Sequence, residues 1–429
     1  MVQFLDFIEI FMNLSGIKNN KSLTSTGTNI GRWHLLLCGL VPFLSSCQLE
    51  IPDLNVVDQV IESDIVSGIR NLPARAFPDE FEKIAYIDRD FNVPNAEISN
   101  DGEFVVVKTY FATNRNYKQA EPAYQMFNES ISNSITFGKN YTILLREPEL
   151  RAIEPISIQA LDISDTSDPP LLSQNNILSP EEFSESVISD INQFNNNDAL
   201  IYIHGFNDSY EDAVIRAAQV SYDLGFSGPT FLFSWPARDS TTTYLGDVER
   251  AQASEKHFEF MMEQILSTTA IDKIYLITHT TGARIGISVL RDLFAMRPSA
   301  RARFREIILI APDINSQEFT TEYAPILGSN NSPVTLYTSS NSSSLDIPKR
   351  FSTSKLAGDS ISGALITGRV ETIDAGVTDL NLDGHSNYSD TNSILADIWD
   401  LIRNGTRANS RNKLAIKYSP AGVYWEYPR

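Results

Sequence analysis

Cysteine and histidine are scarce in this chain: its 429 residues hold two of the first, Cys38 and Cys47, and five of the second. No C-x-x-C pair, H-E-x-x-H or P-loop glycine pattern occurs, so no metal site and no cofactor is expected. Positive charge is short as well. Lys and Arg number 34 against 54 Asp and Glu, and the net charge of -20 argues against nucleic acid or anionic membrane surfaces as partners. There is no internal repeat and no apolar run long enough to span a bilayer. The remaining composition, 42% hydrophobic and 21% charged, is ordinary for a globular protein, and the length suits one large α/β domain with appendages.

The most informative stretch runs from Lys273 to Arg284. A short apolar strand, Ile274 to Ile277, enters a tight turn, and a helix follows with Ile285, Val289, Leu290, Leu293 and Phe294 at helical spacing. The turn, Thr278-His279-Thr280-Thr281-Gly282, has the shape of the G-x-S-x-G nucleophile elbow of α/β-hydrolases, with Thr280 where the serine would stand. The central residue of such an elbow commonly sits at positive φ, where a β-branched side chain is a genuine outlier. Strain of that kind costs about 1–3 kcal/mol. A threonine hydroxyl can act as a nucleophile. The alternative is an ordinary strand–turn–helix of a Rossmann-like sheet, with Thr280 capping the helix.

Other segments bear on that choice. The apolar strand Ala199 to Ile203 ends in His204-Gly205, where the hydrolase fold builds half of its oxyanion hole; the backbone donors would be Phe206 and Thr281. Asp208 and Glu211 have capping-box spacing, which predicts a helix after this strand. The chain order of such a triad places the catalytic histidine last. His34 lies in a leader, His204 and His279 in the two motifs, and His257 on an amphipathic helix, which leaves His385 after the strand Val370 to Ile373. Asp313, which closes the strand Glu306 to Ile310, is the candidate acid, and Asp346 is the second.

These segments resemble a bacterial family of α/β-hydrolases. The family's His-Gly-Tyr-Asn strand end, Phe-Ser-Trp-Pro segment, Ala-His-Ser-Met-Gly elbow, Ala-Pro-Asp segment and terminal Gly-His-Ser correspond to His204 to Asn207, Phe233 to Pro236, Thr278 to Gly282, Ala311 to Asp313 and Gly384 to Ser386. Its Phe-Ala-Thr-Asp-Arg strand resembles Phe111 to Arg115, and a later Gly-Asp is echoed by Gly358-Asp359. The resemblance implies an α/β-hydrolase fold, a mostly parallel sheet with helices on both faces. Two departures bear on activity: Thr280 replaces the serine, and Ser342 stands where such hydrolases carry an aspartate after the seventh strand.

The ends add a cellular expectation. Arg32 to Cys47 has a basic residue, a short apolar run and small residues before a cysteine, as in a secretory signal peptide. Leu44-Ser45-Ser46-Cys47 resembles the bacterial lipobox, which implies a mature chain beginning at a lipidated Cys47. Gln48 after it favours the outer membrane, facing the periplasm or the exterior. The expected organisation is a signal peptide over 1–46, a tether over 47–100, the hydrolase domain over 101–403 and a basic tail over 404–429. Two functions follow: a weak or specialised ester hydrolase acting on a small-molecule ester, or an inactive domain that binds an envelope partner.

Overall fold

The computed structural model describes residues 96–98, 104–118, 126–146, 158–159, 172–238, 244–328, 334–377, 380, 388–411 and 413–427. The leader, Cys47, most of the expected tether and His385 lie outside the described residues.

Among the described residues, thirteen strands form one sheet. They are β1 (Ala96–Ile98), β2 (Phe104–Tyr117), β3 (Phe127–Arg146), β4 (Ile158–Gln159), β5 (Leu172–Leu178), β6 (Asp198–Ile203), β7 (Thr230–Ser234), β8 (Lys273–His279), β9 (Phe304–Ile310), β10 (Val334–Thr338), β11 (Val370–Asp374), β12 (Ala415–Ser419) and β13 (Gly422–Glu426). The order along the sheet is β12-β13-β11-β10-β9-β8-β6-β7-β2-β3-β4, with β1 on β2 and β5 on β3. Every pairing from β2 through β7, β6, β8, β9, β10 and β11 to β13 is parallel. The outer pairings, β2 with β3 and β12 with β13, are antiparallel.

The helices that matter for the site are α1 (Pro180–Phe194), α2 (Tyr210–Asp223), α3 (Tyr244–Ser267), α4 (Gly282–Met296), α5 (Asp346–Phe351) and α6 (Tyr388–Asn404). None of the described helices is long and apolar enough to cross a membrane.

The central strands are apolar at successive positions because both faces are covered. Ile201, Ile203, Phe231, Phe233 and Leu276 join Phe258 and Met261 of α3 and Ile285 and Leu290 of α4 in one layer. Their strand neighbours Leu200, Tyr202, Leu232 and Ile277 point the other way, onto Val214 and Ala217 of α2 and Ile394 and Ile398 of α6. The period-two alternation of side chains in a strand divides one apolar run between two cores. This is the doubly covered parallel sheet expected for an α/β-hydrolase.

Local signals at the helix starts held to different degrees. Ser179 and Glu182 form the capping box of α1, each side chain bonded to the other's backbone N–H. The cap of α2 is displaced by one residue from the expected Asp208 and Glu211: Ser209 and Asp212 form it instead. Asp208 is otherwise engaged, because its carbonyl accepts from Arg115 Nη2 at 2.8 Å and its carboxylate lies 3.4 Å from His204 Nδ1. A tertiary demand thus overrides a local one.

Five strands, β1, β4, β5, β12 and β13, fall where none was expected, and β3 is longer than expected. The sequence predicts a strand only over Tyr141 to Leu145, but β3 begins at Phe127, its Ser- and Asn-rich half held by β2 across two register shifts. The segment Asp162 to Asn176 is rich in Ser, Asp, Asn and Pro, which predicts a surface loop, yet it supplies the start of β5. The expected basic tail carries β12 and β13, and β13 extends the sheet by pairing with β11. Polar edge strands lack the apolar pattern that marks buried ones, so their pairing is decided by neighbours rather than by their own residues.

One buried acid in this frame sets a pH dependence. Asp223 ends α2, is 5% exposed, and its Oδ1 has no hydrogen-bond partner. Burial raises its pKa well above the ordinary carboxylate value, with Arg216 offsetting only part of the shift. A carboxylate at a helix C-terminus also opposes the helix dipole. Because the folded pKa exceeds the unfolded one, Asp223 contributes most below the unfolded value, roughly pH 4, and that contribution is lost as pH rises toward the folded pKa. Asp223→Asn is therefore expected to stabilise the protein by about 1–3 kcal/mol at pH 8 and by less at pH 4.5. Urea unfolding at the two pH values checks this; a variant equally destabilised at both would show that the carboxyl group is needed in its own right.

Candidate active site

The C-terminal ends of the parallel strands bring the motifs together. Thr280 follows β8 and precedes α4 with φ of 41°, in the left-handed region. It does not cap α4: the N-cap position is Thr281, which makes no side-chain cap bond. The turn is pinned instead by Thr280 N–H donating to Ile310 O at 3.0 Å and by Ala283 N–H donating to Thr280 O at 3.0 Å. Thr280 is 1% exposed, and its Oγ1 has no hydrogen-bond partner among the described residues.

Two glycines make this turn possible by close approach. A Cβ on Gly205 would stand 2.4 Å from Thr280 Oγ1 and 2.9 Å from His279 Nδ1. A Cβ on Gly282 would stand 2.3 Å from His204 O, so any side chain there would lift α4 from the end of β6. Glycine at both positions sets the His204-Gly205-Phe206 strand end against the elbow. Neither Phe206 N–H nor Thr281 N–H donates to another backbone group among the described residues. Both expected oxyanion donors are therefore free of backbone acceptors among the described residues, and Gly205, beside Phe206, abuts Thr280.

Asp313 is drawn into the elbow. It follows Ala311, which has φ of 46°, and Pro312, whose carbonyl accepts from Gly358 N–H at 2.9 Å. The Asp313 carboxylate is fully buried and accepts from Tyr244 Oη at 2.7 Å and Thr281 Oγ1 at 2.8 Å on one oxygen, and from Arg284 Nε at 2.8 Å on the other. Arg284 Nη2 also donates to the Asp313 carbonyl. For the Tyr244 phenol, burial and then the Asp313 charge push its pKa up. Burial acts to lower the Arg284 pKa, but Asp313 and Tyr244 leave it raised on balance. The elbow, α3 and the loop after β9 are thus held by one carboxylate.

His204 is held by several contacts. Nδ1 donates to Gly205 O at 2.9 Å and lies near Asp208, Nε2 accepts from Ser234 Oγ at 3.5 Å, and the ring stacks on Trp235 at 5.4 Å. Burial lowers its pKa, so it stays neutral near pH 7. Beneath it Arg115, 1% exposed, donates to Ser234 Oγ, Ala237 O and Asp208 O, joining the ends of β2, β6 and β7. Desolvation draws the Arg115 pKa down to about 10, with Asp208 acting against it; the guanidinium remains charged at neutral pH.

The remaining sequence candidates divide. Ser342, after β10, is buried and shares a hydrogen bond of 2.7 Å with Ser344 Oγ. Asp346 is exposed in the first turn of α5, a place that suits a carboxylate electrostatically. His385 lies outside the described residues. Sequence reasoning missed Tyr244 altogether and used Arg284 only as the end of a motif. Arg284 stands in the first turn of α4, and its partner Asp313 is 29 residues away. Tyr244 carries no local signal, because its partner is 69 residues away. Among the described residues, no group of three or more His, Cys, Asp or Glu is placed to hold a metal ion.

Among solved structures, the chain is similar to the thermophilic carboxylesterase EstE1 from a metagenomic library, with 13% identity over 77% of this chain and 98% of that one and a TM-score of 0.34. It is also similar to the carboxylesterase CesB from Bacillus subtilis, with 13% identity over 49% of this chain and 85% of that one and a TM-score of 0.27. No curated protein matches it. A family model does, across residues 179–393, from the α1 cap to the start of α6. With the parallel sheet, the strained turn after β8 and the matched half of its length, the chain belongs to the family described as alpha/beta hydrolase of unknown function (DUF900).

Proposed function

We propose that this protein is an ester (acyl) hydrolase of weak activity, with Thr280 as nucleophile, His385 as general base, Phe206 and Thr281 N–H as oxyanion donors, and Asp313 as the carboxylate that positions the elbow through Thr281 and Arg284. The observation that carries this reading is the conformation of Thr280: a β-branched residue at φ of 41° whose buried hydroxyl has no partner among the described residues. The backbone strain costs about 1–3 kcal/mol, and an unsatisfied buried hydroxyl costs about 1–3 kcal/mol more. A turn that only joined a strand to a helix would need neither.

In the proposed reaction, Thr280 Oγ1 attacks the ester carbonyl, His385 takes its proton, and the two N–H groups receive the developing oxyanion. The alcohol leaves with that proton, and water then cleaves the acyl-threonine. Weakness follows from the branched Cβ, which restricts the approach of the hydroxyl, and from Ser342, which offers the histidine no carboxylate. The test is Thr280→Ser, alone and with Ser342→Asp, assayed on p-nitrophenyl acetate. A folded double variant that remains inert would sink the hydrolase reading.

We further propose that the mature protein is a lipoprotein of the outer membrane, beginning at a lipidated Cys47, on the support of Leu44-Ser45-Ser46-Cys47 and Gln48. Mass spectrometry of detergent-extracted protein is expected to find a diacyl or triacyl Cys47 at the N-terminus. An unmodified cysteine, or a mature start elsewhere, would refute it.

A further inference from the structure

Three aromatic side chains meet beside the elbow, each from a different segment. Phe206 lies in the loop after β6, Tyr244 is the first residue of α3, and Phe351 ends α5. The Phe206 and Tyr244 rings meet edge to face at 5.6 Å, and the Tyr244 and Phe351 rings stack at 5.7 Å with an interplanar angle of 27°. Tyr244 is fixed from below, since its hydroxyl shares Asp313 Oδ2 with Thr281 Oγ1. Tyr244 therefore joins the other two rings and ties them, through Asp313, to the residue next to the nucleophile.

Their burial differs, and the middle ring is the most buried. Tyr244 is 4% exposed, Phe206 is half-buried, and Phe351 is 50% exposed. Leu245, beside Tyr244, is exposed as well. The cluster stands at the carboxyl ends of parallel strands, where open α/β sheets bind their ligands. Walls of aromatic side chains with a few fixed polar groups are the ordinary make-up of small-molecule sites.

We propose that Phe206, Tyr244 and Phe351 form the acyl subsite of this hydrolase and that it takes esters of aromatic carboxylic acids. The proposal rests on the hydrolase reading given above and adds the substrate class. Phe206 links the two: the carbonyl oxygen of a bound ester at its N–H places the acyl substituent alongside its ring. From there the substituent meets Phe351, the exposed ring of the stack. Phe206 and Phe351 keep ring surface open to a further ring, which adopts the same offset arrangements. A small acetyl group reaches Phe206 only.

The experiment compares p-nitrophenyl phenylacetate with p-nitrophenyl acetate, each kcat/KM divided by the ester's rate of alkaline hydrolysis, in the wild-type protein and in Thr280→Ser. The corrected ratio is expected to favour phenylacetate and to fall about tenfold in Phe351→Ala, the scale on which a hydrophobic pocket discriminates. Phe351→Tyr is expected to retain it. A general loss of folding would lower both esters together and leave the ratio unchanged, and an unchanged ratio overturns the subsite. If neither ester is cleaved, the hydrolase reading fails on its own, and saturation-transfer NMR with phenylacetamide decides the subsite. Transfer to the phenyl protons that is lost in Phe351→Ala supports it, and absence of transfer overturns it.

Discussion

Asp397→Asn is expected to lower the unfolding free energy by about 3–5 kcal/mol, the cost of leaving a buried charge without its partner. Asp397 of α6 and Arg411 form an ion pair whose side chains are 2% and 1% exposed. Tyr337 of β10 joins them, its hydroxyl donating to Asp397 Oδ2 at 2.6 Å and accepting from Arg411 Nη1 at 3.2 Å. Without the carboxylate, the guanidinium keeps its charge, with Glu371 at 3.5 Å as the remaining acid. Arg411→Met is expected to cost less, about 1–3 kcal/mol, because burial already raises the Asp397 pKa and the acid can take up a proton while bonded to Tyr337.

Replacing both with apolar residues, Asp397→Leu with Arg411→Met, is expected to recover most of the loss, since the paired desolvation penalty disappears with the pair. Urea midpoints at pH 7 give the order. An Asp397 variant no less stable than the Arg411 variant would contradict it. The consequence reaches beyond stability. This cluster fastens α6 and the start of the C-terminal hairpin to β10, and α6 follows the segment that carries His385.

Thr280→Ser is expected to raise kcat/KM on p-nitrophenyl acetate about tenfold or more, the factor equivalent to about 1.4 kcal/mol of transition-state stabilisation. Serine removes the Cγ methyl from a backbone at positive φ, so a gain in stability of about 1 kcal/mol is expected with it. Adding Ser342→Asp is expected to raise the rate further, on the order of 10²-fold, by giving the histidine a carboxylate. Ser342 is buried against Ser344, so the new carboxyl enters a dry place with one hydroxyl to donate to it. Desolvation would raise its pKa, and the rate of the double variant should climb with pH as that carboxyl ionises. A fluorophosphonate probe should label the Thr280→Ser protein and leave the wild type unlabelled. Robust wild-type turnover that vanishes in His385→Ala would instead establish a fully working threonine enzyme.

The strands of the central sheet were legible because each is an apolar run bounded by turn residues: β6, β7, β8, β9, β10 and β11 all fall where Val, Ile, Leu and Phe cluster. The elbow was legible for a different reason. Its spacing, strand then small turn then amphipathic helix, is a backbone requirement written in consecutive residues. The edge strands β5 and β12, and β13 beside the edge, were not, since half-exposed strands owe their pairing to neighbours.

By itself the sequence determined the doubly covered parallel sheet, the position of Thr280 at the turn after β8 and the order of the motifs, because periodicity and turn geometry act over a few residues. Tertiary structure alone decided what surrounds the elbow. It committed Asp313 to Tyr244, Thr281 and Arg284, buried Arg115 under three strand ends, moved the cap of α2 to Ser209 and Asp212, and set Phe206, Tyr244 and Phe351 in one cluster. Apart from the cap itself, those residues lie tens to more than a hundred positions apart. Hydrogen bonds and ring contacts depend on distance in space, which no local pattern in a chain encodes.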